Sequence, residues 1–423
     1  MIISPRMSSA RAVVVLGALS WLGPFSLDAY TPAFPEMAAD YAVPDASIQL
    51  TLTALLVGLI VGQLVAGPVI DSFGRRNPVL IAVVAYCLCS AACAIAPGVE
   101  SLMVARVGQG LTAAVALVAA RAVGRDLFEG KALARFYSHM AAVTTVAPLV
   151  GPVVGAVIVD WSTWRAIFWL ITGLGVGCLA VAVVFLPETG GVSMARAAAE
   201  TPGTSYLAGY RSVLSDAWFR ACALTLACVS GVGLTYLAGA SFVFQDGYGL
   251  SATAFSLVFA GNAFVLMLGT QVSSALIGRF ASSSITRVGL AAQSTVAIWC
   301  AAALLLNFPV LVIGLSFAAL VFFHGLLMPN LTTLAMTVDP AHAGSASALV
   351  GVAQFAVGAV TAPLLGLLGS GISVAMAVIL PSLALAALLS FFTLARTAQY
   401  SRHTIDVIPQ TAHGDIDTSH ERG

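Results

Sequence analysis

The sequence predicts an all-α membrane protein of twelve transmembrane helices in two six-helix halves. Three observations predict it. Of 423 residues, 59% are hydrophobic and only 9% charged, whereas a soluble domain is about one quarter charged. A helix that crosses a bilayer needs about 20 mostly apolar residues, and cutting the chain at polar and turn residues leaves twelve such stretches. Lys and Arg then fall in alternate loops, as the positive-inside rule requires.

The first span is read over 12–33, before Phe34-Pro35. It is too long for a signal-peptide core and lacks an A-x-A site near its end, so it is expected to be retained. Span two covers 48–70. Spans three and four, 79–97 and 101–121, meet at Pro97-Gly98-Val99-Glu100, a connection short enough to be only a turn between antiparallel neighbours. Spans five and six, 136–159 and 165–187, complete the first half. The second half reads as 219–243, 252–277, 285–306, 309–335, 344–368 and 371–395, with Asn307-Phe308 as its tightest turn. Between the halves, 188–218 carries Gly190-Gly191 and Pro202-Gly203 and reads as a cytoplasmic linker. Residues 1–11 read as a cytoplasmic N-terminus and 396–423 as a polar, disordered cytoplasmic tail. Val146-Ala147-Pro148-Leu149-Val150-Gly151 in span five echoes Thr361-Ala362-Pro363-Leu364-Leu365-Gly366 in span eleven, as two parallel repeats would.

Counting from an inside start, Arg6, Arg11, Arg75, Arg76, Arg121, Arg125, Lys131 and Arg135 face the cytoplasm in the first half. Arg196, Arg211, Arg220, Arg279, Arg287, Arg396, Arg402 and Arg422 follow on the same side. Only Arg165 falls in an outer loop and only Arg106 within a span, and one miscounted helix would invert every later loop.

Composition also excludes functions. The 18 Lys+Arg balance 18 Asp+Glu without a basic run, so no nucleic-acid partner is expected. Cys87, Cys89, Cys93, Cys178, Cys222, Cys228 and Cys300 all lie in apolar stretches and read as packing residues. Cys87, Cys89 and Cys93 have no neighbouring His or carboxylate in sequence, so neither a metal nor a cofactor is expected. No D-D-x-x-D, H-E-x-x-H or Ser/His pair at one depth suggests an intramembrane enzyme, and no soluble output domain suggests a sensor.

With these boundaries two formal charges fall within the spans, Asp28 in the first and Arg106 in the fourth. Each costs about 2.5 to 3.5 kcal/mol at a helix centre on insertion scales, so each needs a partner or a wet cavity. Both lie roughly 7 to 8 Å below the outer surface at about 1.5 Å per residue, which lets them meet. A carboxyl in a cavity that alternates between wet and dry, or paired and unpaired, can load and release a proton. Asp28 snorkelling near Pro32 and Pro35, and Arg106 bonding carbonyls of neighbouring helices, are the plainer alternatives. His324 in span ten reads as either a packing residue or a proton-relay member, and His139 as interfacial.

Gly67-Pro68-Val69-Ile70-Asp71-Ser72-Phe73-Gly74-Arg75-Arg76 resembles the G-x-L-x-D-x-x-G-R-[KR] signature of the major facilitator superfamily. The resemblance implies the major facilitator fold and a cytoplasmic latch of Gly67, Asp71, Gly74, Arg75 and Arg76, with Asp71 near the start of span eleven. Arg106-Val107-Gly108-Gln109-Gly110 is similar to that family's R-x-x-Q-G element, which is linked to proton coupling. Gly151-Pro152-Val153-Val154-Gly155 is similar to its antiporter motif, with Ala147 and Ala156 in place of two glycines. Leu27-Asp28-Ala29-Tyr30-Thr31-Pro32-Ala33-Phe34-Pro35 resembles the D-x-Y-x-P-A-x-P element of the bicyclomycin and chloramphenicol resistance (Bcr/CflA) branch. Arg125-Asp126-Leu127-Phe128 and Ala240-Ser241-Phe242-Val243-Phe244 are similar to that branch too. In the second half Gly278-Arg279 remain of the latch, but Ser282, Ser283 and Ser284 stand where its acid is expected.

The resemblance implies a secondary transporter, proton-coupled and drug-exporting, in the bacterial inner membrane. Asp28 and Arg106 would couple protons, and Asp28, Tyr30, Phe34 and Tyr236 would bind drug by apolar and aromatic contact. Its expected partners are a small drug, protons and the bilayer, with the chain acting as a monomer. A proton-coupled carrier of a metabolite on the same fold is the alternative.

Overall fold

A computed structural model describes residues 9–128, 130–189, 206–277, 279–337, 343–367 and 371–406. Among them twelve long helices follow the predicted order. The first half holds α1 (Ser9–Asp28), the short α2 (Phe34–Tyr41), α3 (Asp45–Ser72), α4 (Arg76–Ala94), α5 (Val99–Leu127), α6 (Gly130–Trp161) and α7 (Trp164–Phe185). Then come the short α8 (Tyr206–Ser215), α9 (Ala217–Phe242), α10 (Ala252–Ile277), α11 (Ser282–Leu305), α12 (Val310–Ala335), α13 (Ala343–Leu367) and α14 (Ile372–Asp406). Eleven of the long helices are apolar enough over sufficient length to cross a bilayer, α1 together with α2, and α6 adds the apolar stretch Val146–Trp161. Asn307 adopts a left-handed φ of 51° in the predicted tight turn.

Three features differ from the sequence reading. The first span is not one helix to residue 33: α1 stops at Asp28, a 3-10 turn covers Thr31–Ala33, and α2 continues to Tyr41. Pro32 and Pro35 lack the N–H groups that would continue the ladder. The linker contains α8, and α14 runs to Asp406, past the expected end at 395.

Each half is built on glycine contacts between helix backbones. A Cβ on Gly58 of α3 would meet the Val107 carbonyl of α5, and one on Gly110 of α5 would meet the Leu55 carbonyl of α3. The second half repeats the device: Gly269 of α10 lies on the Phe322 carbonyl of α12, and Gly325 of α12 on the Leu266 carbonyl of α10. Without a hydrophobic driving force in lipid, such close approach is what packs helices together. Gly110→Val is therefore expected to cost more than the ~1–3 kcal/mol of ordinary overpacking. Size-exclusion profiles of the solubilised variant should show loss of the monodisperse peak; a wild-type profile would refute the contact.

Carboxylates from distant segments cap helix N-termini, where the helix dipole favours negative charge. Glu188 accepts from the Arg75 and Arg76 N–H groups at 2.8 and 3.1 Å, at the start of α4. Glu36 of α2 accepts from the Trp164 N–H at 3.2 Å, at the start of α7. Beside it Asp40 Oδ2 accepts from Arg165 Nη1 at 2.6 Å and Trp164 Nε1 at 3.0 Å, which fixes α2 to α7.

Pro68 lies inside α3 and cannot donate to the carbonyl of Leu64 four residues before it. Tyr210 of α8 supplies the missing donor, its hydroxyl lying 3.2 Å from that oxygen. On the same helix Gly209 leaves room for Ser345 of α13, so α8 touches both halves. Tyr210→Phe should lower stability by about 0.5 to 1.5 kcal/mol. Deuterium uptake over 206–215 should rise; unchanged uptake would mean that α8 docks by packing alone.

Among the described residues the buried apolar side chains form two clusters. One runs from Leu16, Leu55 and Phe168 through Phe242, Phe317 and Met376, joining the two halves; the other, with Phe219, Leu226, Leu327 and Phe391, belongs to the second half. The halves thus share a core at the end of the bundle opposite the arginine-rich loops.

Candidate functional site

The break after α1 seats Asp28 against α6. Thr31 Oγ1 donates to the Asp28 carbonyl at 2.9 Å, closing the turn. Gly151 and Gly155, one helical turn apart on α6, give that turn its space. A Cβ on Gly151 would lie 3.2 Å from the Ala29 nitrogen and 3.3 Å from the Asp28 Cβ, and one on Gly155 would meet the Ala29 carbonyl. The glycines flanking Pro152 therefore receive the broken helix. Asp28 is 5% exposed and lies close enough to Tyr236 of the second half to act on it electrostatically.

Arg106 is fully buried. Its Nη1 donates to the Ser26 carbonyl at 3.1 Å and to Gln109 Oε1 at 2.7 Å, and Gln109 Nε2 donates to Ser90 Oγ at 2.8 Å. Ser26 Oγ shares a hydrogen bond with the Tyr86 hydroxyl, which also reaches the Leu22 carbonyl at 3.2 Å. The guanidinium lies 4.0 Å over the Tyr30 ring and 5.5 Å from that of Phe168, an arrangement that favours a cation. Its Nε and Nη2 have no hydrogen-bond partner.

Asp28 and Arg106 do not form the ion pair that their common depth suggested. Arg75 pairs with Asp126 and Arg165 with Asp40, and neither pair involves Asp28 or Arg106. The reason is azimuth: residues two apart on a helix do not face the same way, and Arg106 approaches α1 at Ser26 while Asp28 faces α6. The plainer reading, an arginine bonded to a neighbouring helix carbonyl, describes its contacts.

The aromatic candidates are buried side by side. Tyr30 contacts Phe34 at 4.8 Å and Thr51 Oγ1 at 3.3 Å, so it supports Arg106 in this conformation. Phe34 meets Phe242 of the second half at 5.8 Å. Tyr236 stacks on Phe259 at 5.5 Å and meets the tilted Phe317 ring at 5.1 Å, and its hydroxyl accepts from Asn262 Nδ2 at 2.9 Å. Sequence reasoning gave no role to Ser26, Tyr86, Ser90 or Asn262; polar residues within apolar spans were the available signal. Gln109 lies in the R-x-x-Q-G stretch that begins at Arg106.

Beyond Phe34 and Phe242 the halves are joined by Gln245, which donates to the Pro32 carbonyl at 3.1 Å and to Ser241 Oγ at 2.6 Å. Thr253 bonds Asp160, and Gly366 packs on Ala46. These contacts seal the end away from the arginine-rich loops. At the other end Gly74 has φ +83°, a conformation suited to glycine. Arg75 Nε pairs with Asp126 Oδ2 at 3.1 Å, which Thr189 also reaches at 2.8 Å, and Arg76 Nη2 donates to the Val183 carbonyl at 2.7 Å. Gly67 has open space around it. The Asp71 side chain and Gly278 lie outside the described residues, and with them the contact expected between Asp71 and span eleven. His139 is exposed.

Residues 16–363 match the profile of the Major Facilitator Superfamily. The chain belongs to that superfamily. Within the superfamily it is 30% identical to a bicyclomycin resistance protein homolog of Haemophilus influenzae, covering 82% of this chain and 87% of the relative. It is also 30% identical to a chloramphenicol resistance protein of Pseudomonas aeruginosa over 67% of this chain and 66% of that protein. Among solved structures it is similar to a D-xylose-proton symporter, with a TM-score of 0.69, 17% identity and coverage of 90% of this chain and 97% of that one. The superfamily assignment makes the chain a multi-pass membrane transporter and not an enzyme.

Proposed function

We propose that the chain exports small neutral amphiphilic drugs of the phenicol or bicyclomycin kind across the bacterial inner membrane, in exchange for protons, by alternating access. The observation that carries this reading is Asp28, a buried carboxyl at the broken end of a transmembrane helix, packed against Gly151 of α6 and without an ion-pair partner among the described residues. Broken helices near the interface of two repeats are where transporters bind substrate and coupling ion. Asp28 takes a proton from the outside as drug leaves and loses it inside. One carboxyl at this site favours neutral cargo, since a cationic drug would compete with the proton for the counter-charge of Asp28.

The arginine-rich end is the cytoplasmic one, with both termini there, and the sealed end faces outward. Opening that end separates Phe34 from Phe242 and exposes Tyr30, Phe34 and Tyr236 to the drug. Gly67, Asp71, Gly74, Arg75 and Arg76 hold the cytoplasmic ends together in the alternate state, and the chain works as a monomer. The relatives named for bicyclomycin and chloramphenicol resistance support the choice of cargo.

The test is accumulation of radiolabelled chloramphenicol in cells with and without the protein. Lower accumulation that an uncoupler reverses is the expected result. Higher accumulation with the protein would favour the metabolite-importer reading, and no uncoupler response would remove the proton.

A further inference from the structure

His324 is the titratable side chain of α12 that the proposed mechanism leaves unused, and its surroundings give it a defined chemistry. Its Nδ1 lies 3.2 Å from the carbonyl oxygen of Val229 on α9. A carbonyl can only accept, so Nδ1 carries a proton, and in the neutral ring Nε2 then presents a lone pair. Gly233, one turn further along α9, makes room for the ring: a Cβ there would lie 2.9 Å from Cε1 and 3.0 Å from Nδ1.

His324 is half-buried, and its position around α12 is informative. Leu311 and Leu315 of α12 are 71% and 62% exposed and mark its lipid-facing side. At about 100° per residue His324 lies roughly opposite them, on the side that also carries Phe317 and Met328. Phe317 packs on Tyr236, and Met328 Sδ accepts from Ser230 at 3.4 Å. His324 therefore lies on the interior side of α12.

Tyr236 stands three residues beyond Gly233 on α9, about 4.5 Å along the helix axis. Because its oxygen accepts from Asn262, its own proton is left to be donated elsewhere. The inner wall of the second half thus offers a donor, Tyr236, and an acceptor, His324 Nε2, with the His324 ring seated against α9 at Gly233, about one helical turn before Tyr236.

We propose that His324 is a substrate-selecting residue: its Nε2 accepts a hydrogen bond from a hydroxyl or amide N–H of the cargo, while Tyr236 donates to a carbonyl or ether oxygen one turn away. The class of ligand is a neutral molecule carrying both groups at that spacing. This inference rests on the neutral-drug reading above and deepens it. An unfilled acceptor in a dry site penalises cargo that lacks the donor, which is how polar pockets discriminate.

The test uses thiamphenicol and florfenicol, which differ in one hydroxyl replaced by fluorine, and measures the Kd of each for the purified full chain in nanodiscs. The wild type should prefer thiamphenicol about tenfold, the worth of one hydrogen bond. His324→Gln, whose amide oxygen reaches the place of Nε2, should keep the preference. His324→Asn, whose amide occupies the place of Nδ1 and preserves the bond to Val229, should lose it. No preference in the wild type, or a preference that survives in Asn and vanishes in Gln, would overturn the acceptor role and leave a packing histidine. If neither phenicol binds the wild type, it is the substrate class that fails.

Discussion

Asp28→Asn is expected to abolish uncoupler-sensitive efflux while leaving the protein inserted and monodisperse. Asn keeps the size of Asp and can satisfy the same polar neighbours, so α1 should still break against Gly151 and Gly155. What it cannot do is titrate. Drug binding to the purified variant should stay within a few-fold of the wild type, because a neutral cargo does not need the charge. The two measurements together separate coupling from binding. Full efflux by a normally expressed Asp28→Asn protein, still sensitive to uncoupler, would falsify the coupling role.

Arg106→Met is expected to cut transport at least a hundredfold and yet leave thermal stability unchanged or raised. Arg106 is buried with Nε and Nη2 unpartnered, and each buried donor left unsatisfied costs about 1 to 3 kcal/mol. Replacing such a cation with an apolar chain of similar length is often neutral or stabilising. A residue retained at that cost points to function. Arg106→Lys should fail as well, since the flat guanidinium over Tyr30 and its reach to both Ser26 and Gln109 have no counterpart in an ammonium. A methionine variant that melts well below the wild type would instead mark Arg106 as part of the scaffold.

The spans were legible because crossing a bilayer is a property of a window of residues, and the alternation of Lys and Arg checks the count independently of the boundaries. What the windows hide is direction around the axis. Depth along the chain placed Asp28 and Arg106 level, but Arg106 bonds α1 at Ser26, and the two-residue offset between Ser26 and Asp28 turns the carboxyl to a different neighbour. The break at Asp28 was foreshadowed by Pro32 and Pro35, yet a continuous apolar run concealed it. Gly151 and Gly155 were visible as a motif. That they receive Asp28 and Ala29, and not simply any neighbouring helix, depends on which helices the fold sets side by side. Tyr210 stood in a stretch read as linker from Pro202-Gly203, and its partner became intelligible only with Pro68 and the carbonyl that proline frees.

The reciprocal glycines of α3 with α5 and of α10 with α12 bear on mechanics. Where backbone rests on backbone, no side chain can change rotamer to take up a displacement, and the joint is stiff against both sliding and spreading. Each half therefore has a strut through its middle. A small torque applied where Phe34 meets Phe242 is carried along those struts to the opposite face of the membrane instead of being absorbed on the way. The lever has stiff arms, and in the proposed mechanism protonation at Asp28 would need to move only its short end.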